Sequence, residues 1–501
     1  MKVNLVEYFK DSVSKFPNHI ALDDNSEKLT FNQVDELSNK IALEISKFIK
    51  QRNPIAVLLP KSNNAILSFI GIMKSGNFYI PLDTKSPVER IEKIISTLSS
   101  SCIITDKKHS AILEKINFTG KIIIVEQIEN QKVDDEKLDD LSQNIIDVDP
   151  IYAIFTSGST GLPKGVLISH RSVIDYIEWA KETYDITESD AIGNQAPFYF
   201  DNSTLDIYLM ICTGATLNII PEDRFTFPIK LIEYINEKEI NFVFWVPSVL
   251  VNIANFDVFN TIKPQFLDKI LFAGEAMPNK HLNYWRKNYP NSLYSNLYGP
   301  TEITVDCTFY NVERDFLDDE SLPIGNACRN TQILIFNEEN KITEQGELGE
   351  LCVRGSSLSL GYYNDLEKTV SAFVQNPLHN NYPDTIYKTG DLVYTNELNE
   401  IIFVGRKDSQ IKHMGYRIEL GEIENAILGV TNVDNVAVLY DDVQKQIIAF
   451  VITTESSANI RKTIMNNLPK YMIPTRWEIM EEFPLNANGK INRLELKKLF
   501  N

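Results

Sequence analysis

The chain has 501 residues, 43% apolar and 23% charged, the composition of an ordinary globular protein with more than one core. A formal charge of −19 sets its surface against nucleic-acid phosphate, and no apolar run reaches the roughly 20 residues needed to span a bilayer. The five cysteines are scattered and the six histidines isolated, without C-x-x-C or H-E-x-x-H, which excludes a disulfide framework and a structural zinc site. With no basic, apolar and small-residue leader pattern at the start, a reducing cytoplasmic location is expected.

In chain order, "NLVEYFKDSVSKF" has helical apolar spacing and is followed by an extended "HIALDD". "NQVDELSNKIALEISKFIK" reads as an amphipathic helix, "PIAVLLP" as a buried strand, "AILSFIGIMKSG" as a helix stopped by glycine and "NFYIPLD" as a strand. "SCIITD", "KIIIVE" and "IYAIF" add further strands with helices between them. This alternation predicts an α/β fold with mainly parallel sheets. From about Thr331, "QILIFNEEN", "GELGELCVRG" and "DLVYTNELNEIIFVG" are strands joined by turns, a β-rich subdomain. After "GRKDSQIKHMGYRIELGEIE" a βαβ rhythm returns in "VDNVAVLYDD", "KQIIAFVIT" and "SSANIRKTIMNNLPKYMIP". The expected organisation is a large N-terminal domain over 1–404, a hinge at 405–408 and a small α+β domain over 409–501.

Between the strand "IYAIF" and the segment "KGVLISHRSV" lies "TSGSTGLPKG", with three glycines, four hydroxyl residues and one lysine in ten positions. Glycines admit a ligand close to the backbone and successive N–H groups form an anion nest. Thr156, Ser157, Gly158, Ser159, Thr160, Gly161 and Lys164 are therefore phosphate-binding candidates. The loop is no Walker A motif, because Pro163 stands before the lysine. A flexible linker is the competing reading, but the structured pattern that follows argues against it.

The segments "KSGNFYIPLD", "TSGSTGLPKG", "LFAGEAMP", "NLYGPTE", "GELCVRG", "YKTGDL", "GRKDSQIKHMGYRIELGEIE" and "NGKINR" occur in this order. Together they resemble the core motifs of the adenylate-forming superfamily, specifically the amino-acid adenylation enzymes of non-ribosomal peptide synthesis. In length the chain is similar to stand-alone ligases such as D-alanine–carrier protein ligase. The resemblance implies ATP and Mg²⁺ as cofactors and a two-step reaction. A carboxylate attacks the ATP α-phosphate, giving an acyl-adenylate and pyrophosphate; a thiol, usually a carrier protein's phosphopantetheine, then takes the acyl group.

It also implies roles. The loop from Thr156 to Lys164 grips the β- and γ-phosphates. Tyr298 stacks adenine, Asn296 meets its edge, and Gly299 belongs to the same turn. Thr301 reaches the α-phosphate and Glu302 is the Mg²⁺ carboxylate. Asp391 accepts the ribose hydroxyls with Arg406 beside it. Lys490 places its ammonium between substrate carboxylate and ATP, and Asn492 stands where relatives commonly carry Asp. Asp408 is the hinge about which the small domain turns, so that "GYRIELGEIE" faces the cleft for the second step with Gly415 beside the pantetheine tunnel.

Asp201 in "YFDNSTL" matches the partner of a substrate α-ammonium, with Phe200 as an aromatic gate; a helix-capping aspartate is the alternative. The pocket lining carried over by resemblance is Asn202, Leu205, Trp245, Leu271, Ala273, Leu297, Val305 and Asp306. Its bulk favours a small amino acid, with alanine, serine or glycine leading. Asp306 either accepts a hydrogen bond from a substrate hydroxyl or ammonium, or is solvated or paired within the protein. Two alternatives stay open: an acyl- or aryl-CoA synthetase using coenzyme A, and a D-alanine–carrier protein ligase for cell-envelope modification.

Overall fold

A computed structural model describes residues 2–128, 134–158, 163–408, 410–484 and 491–500. Two α/β sheets form the large N-terminal domain. The first has six strands in the order Lys121–Ile124, Cys102–Thr105, Pro54–Leu58, Phe78–Pro81, Pro150–Thr156 and Lys164–Ser169, all parallel except the last pair. Its central strand Pro54–Leu58 is buried on both faces, which is why it reads as an unbroken apolar run. The second sheet has nine strands, parallel through the centre from Ile20–Asp23 to Leu293–Tyr298 and antiparallel at both edges.

Helices Asn63–Lys74 and Asn202–Thr213 are buried almost all round. Ile55, Val57 and Ile154 of the first sheet share one apolar cluster with Phe244, Leu271 and Leu297 of the second. Buried hydroxyls there are paired: Tyr79 with Tyr208, and Thr204 to Tyr152. The amphipathic helix expected near residue 32 spans Phe31–Ser46 and starts with a capping box between Thr30 and Gln33.

The β-rich subdomain is a five-stranded antiparallel sheet ending in Ile401–Arg406. The small C-terminal domain opens with the hairpin Gln410–His413/Tyr416–Glu419. Its main sheet departs from the expected βαβ repeat, since Val433–Asp441 and Gln446–Thr453 are an antiparallel hairpin. Only residues 442–445 join them, too few for a parallel crossover. The βαβ unit comes next, through helix Ser457–Ile464 to Arg476–Ile479.

One buried group gives the large domain an acid limit. His170 begins helix His170–Thr183, is 1% exposed, and its Nδ1 accepts the Leu5 N–H at 3.2 Å, so the ring is held neutral. Burial lowers its pKa from 6.5 to about 4. A group depressed on folding stabilises above its unfolded pKa, and that stability is lost as pH falls through the folded value. About 3 kcal/mol is expected to disappear between pH 6.5 and 4. Thermal melts across that range should show a shallower acid decline for His170→Gln than for the parent.

Candidate active site

The carboxyl ends of both parallel sheets open on one crevice, the place where α/β folds bind ligands. Thr156 ends one strand, Tyr298 ends another, and Ala273 follows a third. Asp391 and Arg406 are register partners on adjacent strands of the β-rich sheet.

The nucleotide candidates are already tied to one another. Tyr298 donates its hydroxyl to one Asp391 oxygen and Arg406 binds the other. Arg406 also grips Asp408 at 2.7 and 2.8 Å, so the proposed ribose acceptor and hinge residue share one guanidinium. Asn296 spends its amide nitrogen on the Pro323 carbonyl at 2.8 Å, which leaves its oxygen as the group able to read a base edge.

Glu302 is fully buried between Tyr362 at 2.8 Å, Arg417 at 2.6 Å and Lys164 at 3.4 Å. Burial works against its ionisation, but Arg417 and Lys164 outweigh this and hold the carboxyl well below the usual carboxylate range. An ionised oxygen ligand of this kind suits Mg²⁺ once the guanidinium withdraws.

The turn after Glu302 is strained. Thr304 and Val305 have φ of 60° and 74°, a region that branched side chains avoid. Such residues cost of order 1–3 kcal/mol each and need support from their surroundings. A side chain at Gly299 would meet the Val305 carbonyl at 2.3 Å, so only glycine allows this turn to close.

Asp201 precedes helix Asn202–Thr213 but makes no capping bond. Burial raises its pKa, and Thr301 supplies a hydrogen bond that works the other way. Leu205, Leu271, Ala273, Leu297 and Val305 join one apolar cluster nearby. Trp245 does not join it: strand alternation puts Phe244 on that face, while the Trp245 indole donates to the Gly193 carbonyl within another cluster. Asn202 has a buried amide nitrogen without a hydrogen-bond partner. Asp306 is paired within the protein, accepting the Tyr176 hydroxyl at 2.7 Å, and burial raises its pKa to about 7.

The small-domain hairpin faces this crevice. The Gly415 N–H donates to Glu275 at 3.0 Å, its φ is +81°, and a side chain there would meet Val246 at 2.8 Å. Tyr416 sets its ring edge against Phe200 with centroids 4.7 Å apart. Lys412 lies 5.9 Å from the Tyr298 ring centre. The surrounding walls lower its pKa, against the pull of Asp391 and Asp201. Ser157 donates to the Arg417 carbonyl at 2.8 Å and accepts the Glu419 N–H at 3.1 Å. The Thr156 hydroxyl is buried without a partner among the described residues. Ser159, Thr160, Gly161 and Lys490 lie outside the described residues.

Comparison with known proteins decides the family. The AMP-binding enzyme profile matches residues 9–363, and its C-terminal domain profile matches 422–490. The chain belongs to the AMP-binding enzyme family. Zwittermicin A synthase ZmaJ of Bacillus cereus is 31% identical over 100% of this chain and 95% of its own length. Gramicidin S synthase 1 of Brevibacillus brevis is 31% identical over 98% of this chain, which spans 44% of that synthase. The Vibrio cholerae adenylation domain AlmE, solved with glycyl-adenosine-5'-phosphate, superposes with a TM-score of 0.85 at 23% identity, covering 100% of this chain and 98% of that one. As an AMP-binding enzyme the chain is an AMP-forming ligase of the adenylation-domain type, and the α/β fold with a β-rich subdomain and small C-terminal domain is that of its relatives.

Reading the AMP-binding motifs one at a time missed Lys412, Arg417 and Tyr176. Lys412 and Arg417 lie inside the quoted hairpin segment, and their opposite register, Lys412 against Arg417, is the signal that pairs them. Tyr176 carries no local signal, because helix packing alone brings it to Asp306.

Proposed function

We propose that this enzyme activates a small amino acid as its adenylate and transfers the aminoacyl group to the phosphopantetheine thiol of a carrier protein. The carrying observation is Asp201, a carboxylate at a helix start that caps nothing and is raised in pKa by burial, one turn before the core residue Leu205. Burial disfavours this carboxylate; a Thr301 hydrogen bond, Lys412 and Arg417 offset that only in part, and a substrate α-ammonium would supply a direct ionic partner. Alanine, serine and glycine fit the lining, and the Asp306 carboxyl fixed by Tyr176 offers a second acceptor for a hydroxyl.

In the first step a substrate carboxylate oxygen attacks the α-phosphorus and the bond to the bridging oxygen breaks, releasing pyrophosphate. Thr301 and Lys490 orient and neutralise the reacting oxygens, while Ser157, Gly158 and Lys164 hold the departing phosphates. Glu302 would hold Mg²⁺, which supplies charge neutralisation on the phosphates when bound. In the second step thiol sulfur bonds to the carbonyl carbon, the proton leaves to solvent and AMP departs.

The hairpin in the crevice, with Gly415 against Val246, supports a thiol-transfer arrangement of the small domain.

The acceptor test uses the best amino acid with either coenzyme A or a phosphopantetheinylated peptidyl carrier domain. Loading of the carrier at least tenfold faster than acylation of coenzyme A is expected. Equal or faster acylation of coenzyme A would establish the synthetase alternative instead.

A further inference from the structure

We propose that Arg90 and Glu422 form a latch between the two domains that holds the arrangement used for thiol transfer. This rests on the two-step reading above.

Arg90 lies on helix Val88–Leu98 of the large domain, and Glu422 on helix Leu420–Leu428 of the small one. Nη1 of Arg90 is 2.5 Å from a Glu422 oxygen, with side-chain exposures of 8% and 3%. Desolvating two charges is repaid only while they remain together, so neither can stay buried and ionised when the domains part. The pair is satisfied in this arrangement alone, and a single charge reversal would bury two like charges there, so the pairing selects the arrangement by what a mismatch costs. Neither residue is among those assigned to ATP or the amino acid.

The latch belongs to a reciprocal clasp. Large-domain Arg90 reaches small-domain Glu422, while small-domain Arg417 reaches large-domain Glu302. Between them the Ser157 hydroxyl bridges the Arg417 carbonyl and the Glu419 N–H. Arg417 and Glu422 flank one continuous strand-to-helix junction, Tyr416–Glu419 into Leu420–Leu428. Seating the hairpin in the crevice and closing the latch are thus one movement. Arg417–Glu302 draws on a group needed for the first step; Glu422 also receives the Gly158 N–H, and Arg90 is the member of the latch that touches no residue assigned to ATP or the amino acid. Reversing the latch charges separates its role from catalysis.

The test compares Arg90→Glu, Glu422→Arg and the double exchange in the full chain. Pyrophosphate–ATP exchange reads the first step, and single-turnover transfer to free pantetheine reads the second. Energy transfer between dyes on cysteines replacing exposed Phe256 and Val443 reads the domain arrangement. Each single reversal is expected to slow transfer at least tenfold and deplete the closed population, with exchange within twofold of the parent for Arg90→Glu. The double exchange should restore both the closed population and transfer. Singles that leave both unchanged, or a double variant with normal exchange but no recovery, would overturn the latch. If the parent shows no exchange with any amino acid, the functional reading fails, and the energy-transfer series still decides the latch.

Discussion

Replacing Lys490 with alanine is expected to lower pyrophosphate–ATP exchange by a factor of about 10²–10³ while changing thiol transfer from preformed adenylate only a fewfold. The magnitude is that of removing one preorganised charge from a transition state that spreads negative charge over phosphoryl oxygens. The selectivity follows from alternation. With the small-domain hairpin in the crevice, Lys412 brings an ammonium to 5.9 Å from the Tyr298 ring centre, and Ser157 is already bonded to the hairpin. The described residues that flank 485–490 are anchored by contacts of their own. Phe483 and Leu496 are buried on either side, the Asn492 N–H donates to the Pro484 carbonyl at 2.7 Å, and the Asn492 side chain caps helix Arg493–Lys497. Capping is a task Asn and Asp perform about equally, so the asparagine at this position has little consequence. Rapid-quench measurement of the two half-reactions separately checks the prediction, and equal loss in both would remove Lys490 from its assigned role.

The second large effect is at Asp201. Asp201→Ala is expected to cost 10²–10³ in kcat/KM for amino-acid activation, because the substrate ammonium would enter the site without its partner; truncating one member of a buried charge pair costs about 2–5 kcal/mol. Stability should move the other way. Burial raises the Asp201 pKa, so this carboxylate is held at a cost in the free enzyme, and its removal should leave the melting temperature equal or higher. Loss of activity with a lowered melting temperature would instead make Asp201 a structural residue.

Much of this architecture was legible in the chain. Strands such as Pro54–Leu58 announce burial on both faces, and the Thr30–Gln33 capping box marks a helix start in four residues. The loop, the Tyr298–Glu302 turn and the Asp391 strand were legible as chemistry because each carries its function on neighbouring residues. What stayed hidden depends on pairings distant in sequence. Trp245 was named by residue type alone, and only the fold shows its indole bonded to the Gly193 carbonyl across the strands. That Tyr176 partners Asp306 became visible only when helix His170–Thr183 brought it there. Arg417 reads as one more surface cation until the hairpin inserts it against Glu302. The antiparallel start of the small-domain sheet was masked by equally apolar strands, and only the short connection between them decides their direction.

The central claim is that the pocket selects a carboxylic acid carrying an α-ammonium. Pyrophosphate–ATP exchange across L- and D-amino acids, each run beside the matching acid without its amino group, tests it most directly. The account predicts exchange for one or a few small amino acids, alanine, serine or glycine among them, and at least a hundredfold less for their des-amino counterparts. Exchange that is as fast with the des-amino acids, or flat across the whole panel, would contradict it.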